Sequence, residues 1–255
     1  MSARINKQNI LQKLNNKVEV RYFHTIDSTN NEAKRCYCDL QDSPILFVSD
    51  HQTNGRGRLG RSFYSPKNTG LYMSVLLSAP KTEDIVCITT AASVAVTKAI
   101  EKLTPLSPMI KWVNDIYVKG KKVCGILCEA VTNPISSKIS AVVIGIGINI
   151  NTNDFPQDIK DTAGALSVNI DSSELCALIT DNIIDIFQNL EQREFIAEYK
   201  EHSLVIGKEI TYTQNNKTET ATAIDIDRNG GLIITTENGT ETLSTGEISI
   251  RLRND

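Results

Sequence analysis

Apolar residues in this chain follow two rhythms, short dense runs and longer stretches spaced at three and four, which trade places up to about residue 204. The dense runs predict buried strands over residues 18–23, 45–48, 71–77 and 141–150. Residues 5–14 fit one short helix. Thr29 and Glu32 form a capping box that predicts a helix starting near Thr29. Over residues 82–103, Ile85, Thr89, Val96, Ile100 and Leu103 fall on related faces of a helix, with Pro105 just past its end. Residues 110–118 and 122–131 read as two strands joined through Lys119-Gly120-Lys121, a hairpin signal. A second capping box, Asp171 to Glu174, opens a long helix carrying Leu175, Leu178, Ile179, Ile183, Ile186, Phe187 and Leu190. Residues 193–202 extend it as a further helix.

Beyond Leu204 the rhythm changes to short alternating runs near Glu209, Thr222, Leu232 and Ile248. They are separated by Asn215-Asn216, Arg228-Asn229-Gly230-Gly231, Asn238-Gly239 and Thr245-Gly246. Strands at that spacing with Asn-Gly turns predict a small β-barrel of about fifty residues. The expected organisation is therefore an extension over residues 1–19, a large α+β domain over 20–203 and a small β domain over 204–255. At 255 residues the chain is long enough for one full core and a small companion.

Composition removes several function classes. A net charge of −3 argues against a nucleic-acid partner held by bulk charge. No apolar run approaches the roughly 20 residues that span a bilayer, and the N-terminus is too polar for a secretory signal. A cytoplasmic protein without membrane contact is expected. The six cysteines sit mostly in apolar surroundings, and neither Cys36-Tyr37-Cys38 nor the Cys124, Cys128 pair has zinc-site spacing, so they read as reduced structural thiols.

Candidate chemistry begins in residues 55–61, Gly55-Arg56-Gly57-Arg58-Leu59-Gly60-Arg61, with no acid between Asp50 and Glu83. Glycine lets the backbone lie close to a ligand, and arginine offers a rigid fork of donors suited to phosphate or carboxylate. The segment reads as a loop for an anion, mobile when unliganded, or as a solvated basic surface. Gly55, Gly57 and Gly60 also satisfy G-x-G-x-x-G, but residues 61–70 lack the helical spacing that a dinucleotide site needs, so that reading is weak.

Three other segments carry polar chemistry. Asp27-Ser28-Thr29-Asn30 places hydroxyls and an amide at a helix N-terminus, as a ligand contact or a plain cap. Lys111-Trp112-Val113-Asn114-Asp115 leads into Lys122, setting an acid among lysines: a cation and phosphate site, or a soluble hairpin. Alternation there sets Gly125, Leu127 and Glu129 on one face. Over residues 144–151, four isoleucines face one way and Gly145, Gly147, Asn149 and Asn151 the other. A bare strand face admits the close approach of another group, a ligand or a packed helix.

Taken in order, Asp27-Ser28-Thr29-Asn30, Gln52-x-x-Gly55-Arg56-Gly57-Arg58-x-Gly60-Arg61, Ser65-Pro66, Gly70-Leu71-Tyr72-x-Ser74, Lys111-Trp112-x-Asn114-Asp115, Lys122-x-x-Gly125-Ile126-Leu127 and Gly145-x-Gly147-Ile148-Asn149 resemble the biotin protein ligase family. The resemblance spans the large domain and extends to the small one. It implies a class II synthetase-like catalytic domain, a mixed sheet packed with helices, followed by an SH3-like β-barrel. It also implies ATP-dependent conversion of biotin to biotinyl-5′-AMP, with Mg²⁺, and transfer to a lysine of a biotin carboxyl carrier protein. By matched position, Ser28, Thr29, Asn30, Gln52, Gly55, Arg56, Gly57, Arg58, Lys122, Gly125 and Gly145 would contact biotin or its carboxyl. Arg58, Phe63, Lys111, Asn114, Gly147 and Asn149 would lie near the nucleotide. Arg58, Lys122, Lys111 and Asp115 would carry the chemistry, with the metal's ligands unassigned.

Two departures stand out. Val113 replaces a customary proline, and Phe63 a frequent tryptophan. The family's DNA-binding form adds an N-terminal winged helix-turn-helix, which residues 1–19 do not build, so no DNA partner or repressor activity is expected. Whether the chain works alone or as a homodimer is open. Two rivals remain. A lipoate or octanoate ligase of the same architecture would use an Arg-Arg-x-Ser-Gly-Gly-Gly motif instead, and a non-enzymatic module would only sense a small anion.

Overall fold

A computed structural model describes residues 5–41, 43–214 and 217–244, and the backbone of 249–252. Its centre is a seven-stranded mixed sheet in the order β1-β2-β3-β7-β6-β5-β4. The strands are β1 (Glu19–Phe23), β2 (Ile45–Ser49), β3 (Gly70–Ser78), β4 (Met109–Lys111), β5 (Asp115–Val118), β6 (Lys121–Thr132) and β7 (Ile139–Asn149). Only β1 and β2 run parallel. A parallel pair needs a crossover, and α2 (Thr29–Arg35) lies in that connection.

Alternation along the strands divides the core in two. Leu46, Val48, Leu71, Met73, Val75, Ile144, Ile146 and Ile148 point into the main core with α3 (Ile88–Leu103) and α4 (Ser172–Gln188). Ile45, Phe47, Leu76 and Val143 point the other way, beneath Ala33 of α2. The helix α1 (Lys7–Lys13) inserts a fully buried Ile10 into the main core. The link after it is held by Asp181 of α4, which accepts from the backbone and side-chain nitrogens of Asn15 and Asn16 at 2.9–3.1 Å.

Three local expectations are corrected. The N-cap of α2 is Ser28 rather than Thr29, and Glu32 pairs with Arg35 instead of closing a capping box. The stretch 82–87 is a 3-10 turn, and α3 starts only at Ile88, because Asp84 turns aside to a buried ion pair with Arg193 at 2.7 Å. Residues 110–118 form two antiparallel strands, with Lys111 opposite Asp115. The turn between them was hidden because Trp112 and Val113 are buried although they do not lie in a strand. The further helix expected over residues 193–202 is present as α5 (Phe195–Glu201), set off from α4 by Arg193 with a left-handed φ of 63°.

The small domain is a five-stranded antiparallel sheet ordered β11-β10-β9-β8-β12, as the SH3-like expectation required. It comprises β8 (Glu209–Gln214), β9 (Lys217–Ile226), β10 (Leu232–Thr236), β11 (Gly239–Leu243) and β12 (Ser249–Leu252). The turns expected at Asn215-Asn216 and Thr245-Gly246 lie outside the described residues. Ile210, Ala223, Ile226 and Leu232 continue the main core through Val205. Trp112 Nε1 donates to the carbonyl of Gly230 at 2.9 Å, tying the 112–114 turn to this domain. Among the described residues no helix is long and apolar enough to cross a membrane.

Replacing Ile10 with Ala should lower unfolding stability by ~2–5 kcal/mol, the scale for truncating a buried isoleucine. An unchanged midpoint in urea would show that α1 is not part of the cooperative core.

Candidate functional site

The sheet face beneath α2 changes character partway along its length. Under the helix it shows Ile45, Phe47, Leu76 and Val143. Further on, Ser74, Gly145 and Leu127 form one row across β3, β7 and β6. Tyr72, Gly147, Gly125 and Asp115 form the next row. A cavity of about 880 Å³ opens over this bare region. Its walls are the start of α2, the glycine-rich loop, the 111–115 turn and the connection 155–163.

Backbone pairing shapes the loop. Phe63 N–H donates to Gly55 O at 2.9 Å, Gly57 N–H to Arg61 O at 2.7 Å and Arg61 N–H to Arg58 O at 3.1 Å. The tip reverses through Leu59 and Gly60, with φ of 56° and 73°. Gly60 suits that left-handed tip because it has no Cβ. The arginines diverge from this frame. Arg56 Nη1 meets Glu129 Oε1 at 3.0 Å and Asn31 Oδ1 at 3.1 Å, while Arg58 Nη1 donates to Asn114 Oδ1 at 3.2 Å. Burial lowers the Arg58 pKa from its ordinary value, against the opposing pull of Asp115. Lys122 Nζ pairs with Asp115 Oδ1 at 2.6 Å, and Lys111 Nζ lies 5.3 Å from the Tyr117 ring centre.

A polar ladder runs behind the cavity. Ser74 Oγ lies 2.7 Å from Thr29 Oγ1 and 2.6 Å from Asn30 Oδ1. Gln52 Oε1 accepts from Thr29 N–H at 2.9 Å and its Nε2 donates to Ser65 Oγ at 3.0 Å. Asn30 Nδ2 donates to Leu127 O at 3.2 Å and Glu129 Oε2 at 2.9 Å. Burial raises Glu129, but hydrogen bonds from Asn30 and Lys34, with Arg56 nearby, outweigh it and hold its carboxyl below the usual range.

Every site residue singled out by the sequence lines this cavity except Gly55. Gly55 sits behind it, where a Cβ would come 2.4 Å from Phe63 O, so its bareness serves loop closure. The other glycines also have neighbours of their own. A Cβ on Gly145 would meet Asn30 Oδ1 at 1.9 Å, and one on Gly147 would meet the Phe63 ring at 2.4 Å. The ring also lies over Gly125, edge-on to Tyr72 with centroids 6.5 Å apart. Asn149 Nδ2 donates to Gly164 O at 3.0 Å, leaving a buried Oδ1 without a partner among the described residues.

Sequence reasoning missed the connection 155–163, which brings Phe155, Asp158 and Asp161 to the rim. It is held by Lys122 N–H to Thr162 O at 2.9 Å and Gly164 N–H to Lys122 O at 2.8 Å. These bonds tie an irregular segment to the first residues of β6, and the irregular partner leaves no periodicity to detect. Tyr199 of α5 was also missed. Its hydroxyl and that of Ser93 both lie on the Val113 carbonyl, at 3.2 and 3.3 Å, bracing the 112–114 turn from the core side. The cysteines carry no disulfide, and burial pushes Cys87 up to about 11 and Cys128 up to about 12. Among the described residues no three His, Cys, Asp or Glu side chains cluster as metal ligands.

Comparison with known proteins agrees with this arrangement. Residues 22–149 match the biotin/lipoate A/B protein ligase family, and residues 205–251 match the biotin protein ligase C-terminal domain. The Bifunctional ligase/repressor BirA of Bacillus subtilis is 31% identical over 243 residues, covering 90% of this chain and 73% of that protein. A biotin--[acetyl-CoA-carboxylase] ligase of Mycobacterium tuberculosis is 25% identical, covering 80% of this chain and 78% of that one. Among solved structures, the biotin protein ligase from Aquifex aeolicus in complex with biotin and ATP is 29% identical. It superposes with a TM-score of 0.77, covering 92% of this chain and 99% of that chain.

Replacing Gly145 with Ala should push Asn30 from its place and cost ~1–3 kcal/mol, the range for overpacking a filled site. Thermal unfolding at the parent temperature would show that the Asn30 amide is not seated on that glycine.

Proposed function

The chain belongs to the biotin/lipoate A/B protein ligase family, and from that premise we propose how its cavity activates biotin with ATP and hands it to a protein. A biotin carboxylate oxygen attacks the α-phosphorus, the bond to the β-phosphate oxygen breaks, and pyrophosphate leaves. The product is biotinyl-5′-adenylate. An acceptor lysine amine then attacks the acyl carbon, the acyl–phosphate C–O bond breaks, AMP departs, and an amide forms with loss of the amine's proton.

The first step is opposed by charge. Carboxylate and α-phosphate about 4 Å apart repel by roughly 4 kcal/mol at an effective dielectric of 20. The observation that carries the proposal is the meeting of Arg58, Lys111 and Lys122 on the wall of a cavity floored by glycine. Arg58 and Lys122 are assigned to the joined oxygens, where fixed donors count most because no reorganisation is needed as the bond forms. Lys122 is held at the wall by Asp115, and Arg58 by Asn114. The ladder of Thr29, Asn30, Gln52 and Ser74 supplies the polar groups of a biotin subsite. Phe63 and Asn149 are assigned to the nucleotide side.

No side-chain nucleophile is needed, because the mixed anhydride itself stores the activation. A magnesium ion fits this donor set. It takes few protein oxygens and keeps waters and substrate phosphates as ligands, and the unpartnered Asn149 Oδ1 together with Asp115 offers oxygens at the wall. Bound there, it would neutralise phosphate charge. The acceptor is proposed to be the biotin carboxyl carrier of acetyl-CoA carboxylase, the enzyme after which the Mycobacterium tuberculosis relative is named.

Arg58→Ala and Lys122→Ala should each slow biotin-dependent ATP–pyrophosphate exchange by ~10²-fold or more, the scale for removing one preorganised donor. Near-parental exchange in both variants would refute the assignment. Exchange driven by lipoate in preference to biotin would overturn the choice of substrate.

A further inference from the structure

We propose that Glu129 is a positioning residue: it latches the glycine-rich loop over the cavity and sets the orientation of Asn30. This rests on the biotin-activating reading for its purpose, though not for its geometry. Glu129 stands on β6 with its side chain 18% exposed, and it is not part of the cavity wall. Its Oε1 accepts from Arg56 Nη1 at 3.0 Å and Lys34 Nζ at 2.9 Å, and its Oε2 from Asn30 Nδ2 at 2.9 Å. One carboxylate thereby joins the loop, the helix α2 and the central sheet.

The surrounding acids are committed elsewhere. Asp27 and Glu32 both pair with Arg35, at 2.8 and 2.5 Å. Among the described residues, Glu129 is the carboxylate that reaches Arg56. Without it, Arg56 and Lys34 would face each other across a half-buried gap with no counter-charge, which drives like charges apart. The loop would then lose its charged tie to β6, keeping the bond from Arg58 to Asn114 in the 112–114 turn and the Phe63 ring over Gly125 and Gly147.

The same carboxylate orients an amide. Asn30 gives its two Nδ2 hydrogens to Leu127 O and Glu129 and takes Ser74 at Oδ1, so all of its directions are set by neighbours. A seated, oriented amide costs a ligand less to bind than one that must first be ordered. Arg56 thereby acquires a different role from Arg58. Its guanidinium closes the loop against Glu129, while Arg58 and Lys122 remain assigned to the two acids.

The test compares Glu129→Gln, Arg56→Gln, the double variant and Lys34→Gln. In ligand-free protein, cleavage by a protease selective for apolar residues is followed at Leu59, Phe63 and Tyr64. Glu129→Gln and Arg56→Gln should each raise the cleavage rate about tenfold, the scale of one charge-assisted hydrogen bond, and the double variant should go no further. Lys34→Gln should stay at or below the parental rate, because it leaves the latch intact. For Glu129→Gln, the KM for biotin in pyrophosphate exchange should rise about tenfold on the same scale, with kcat at saturating biotin retained. Parental cleavage in Glu129→Gln, additive effects in the double variant, or an equal effect from Lys34→Gln would overturn the latch. Faster cleavage in the variants, with no biotin-dependent exchange in the parent, would keep the latch and remove only the functional reading.

Discussion

On the proposed assignment two anions must come within bonding distance in this cavity, and the arrangement of the site answers to their mutual repulsion. Cations are therefore concentrated at the wall, yet unliganded cations repel one another just as the substrates do. Each is held by a neighbouring acid or amide: Lys122 by Asp115, Arg56 by Glu129, Arg58 by Asn114. These pairs are weak enough on a partly exposed wall to be rearranged by an incoming anion. They are also numerous enough to keep the donors in place beforehand.

That requirement explains the sheet. A face covered by helix must be apolar, whereas a face that admits ring and amide groups at close range must be bare, and β3, β6 and β7 change from one to the other along their length. Ser74, Gly145 and Leu127 mark the change, followed by Tyr72, Gly147 and Gly125. The bare floor is not empty. Asn30 and Phe63 occupy the room left by Gly145 and Gly147, so the glycines give shape to the cavity by letting other side chains form its surface.

Much of this was legible from residues alone. Strict alternation over residues 144–151 separated isoleucines in the core from Gly145, Gly147 and Asn149 at the cavity, because strand geometry sets successive side chains on opposite faces, whereas Asn151 lies past the end of β7 and outside the cavity wall. The cationic loop stood out through its unusual mix of residue types, and it does lie at the cavity wall. What escaped were features set by partners far away in sequence. The 112–114 turn looks like strand because its residues are buried against Tyr199, Ser93 and Gly230. The 155–163 connection is placed by backbone bonds to Lys122, by Lys121 Nζ on Asp161 O and by the contact of Phe155 with Tyr64, all set by partners distant in sequence. Glu129 looked like one more polar position on a strand, and only the three-dimensional meeting of Arg56, Lys34 and Asn30 around it distinguishes it.

The chain contains a single tryptophan, and it stands at the junction between the two domains. Trp112 is 5% exposed, belongs to the turn that delivers Asn114 and Asp115, and donates its indole proton to Gly230. Indole emission depends on that hydrogen bond and on the dryness of the seam around it. Because Trp112 also lines the cavity, intrinsic fluorescence of the unmodified protein is an optical gauge of the seam and the cavity together.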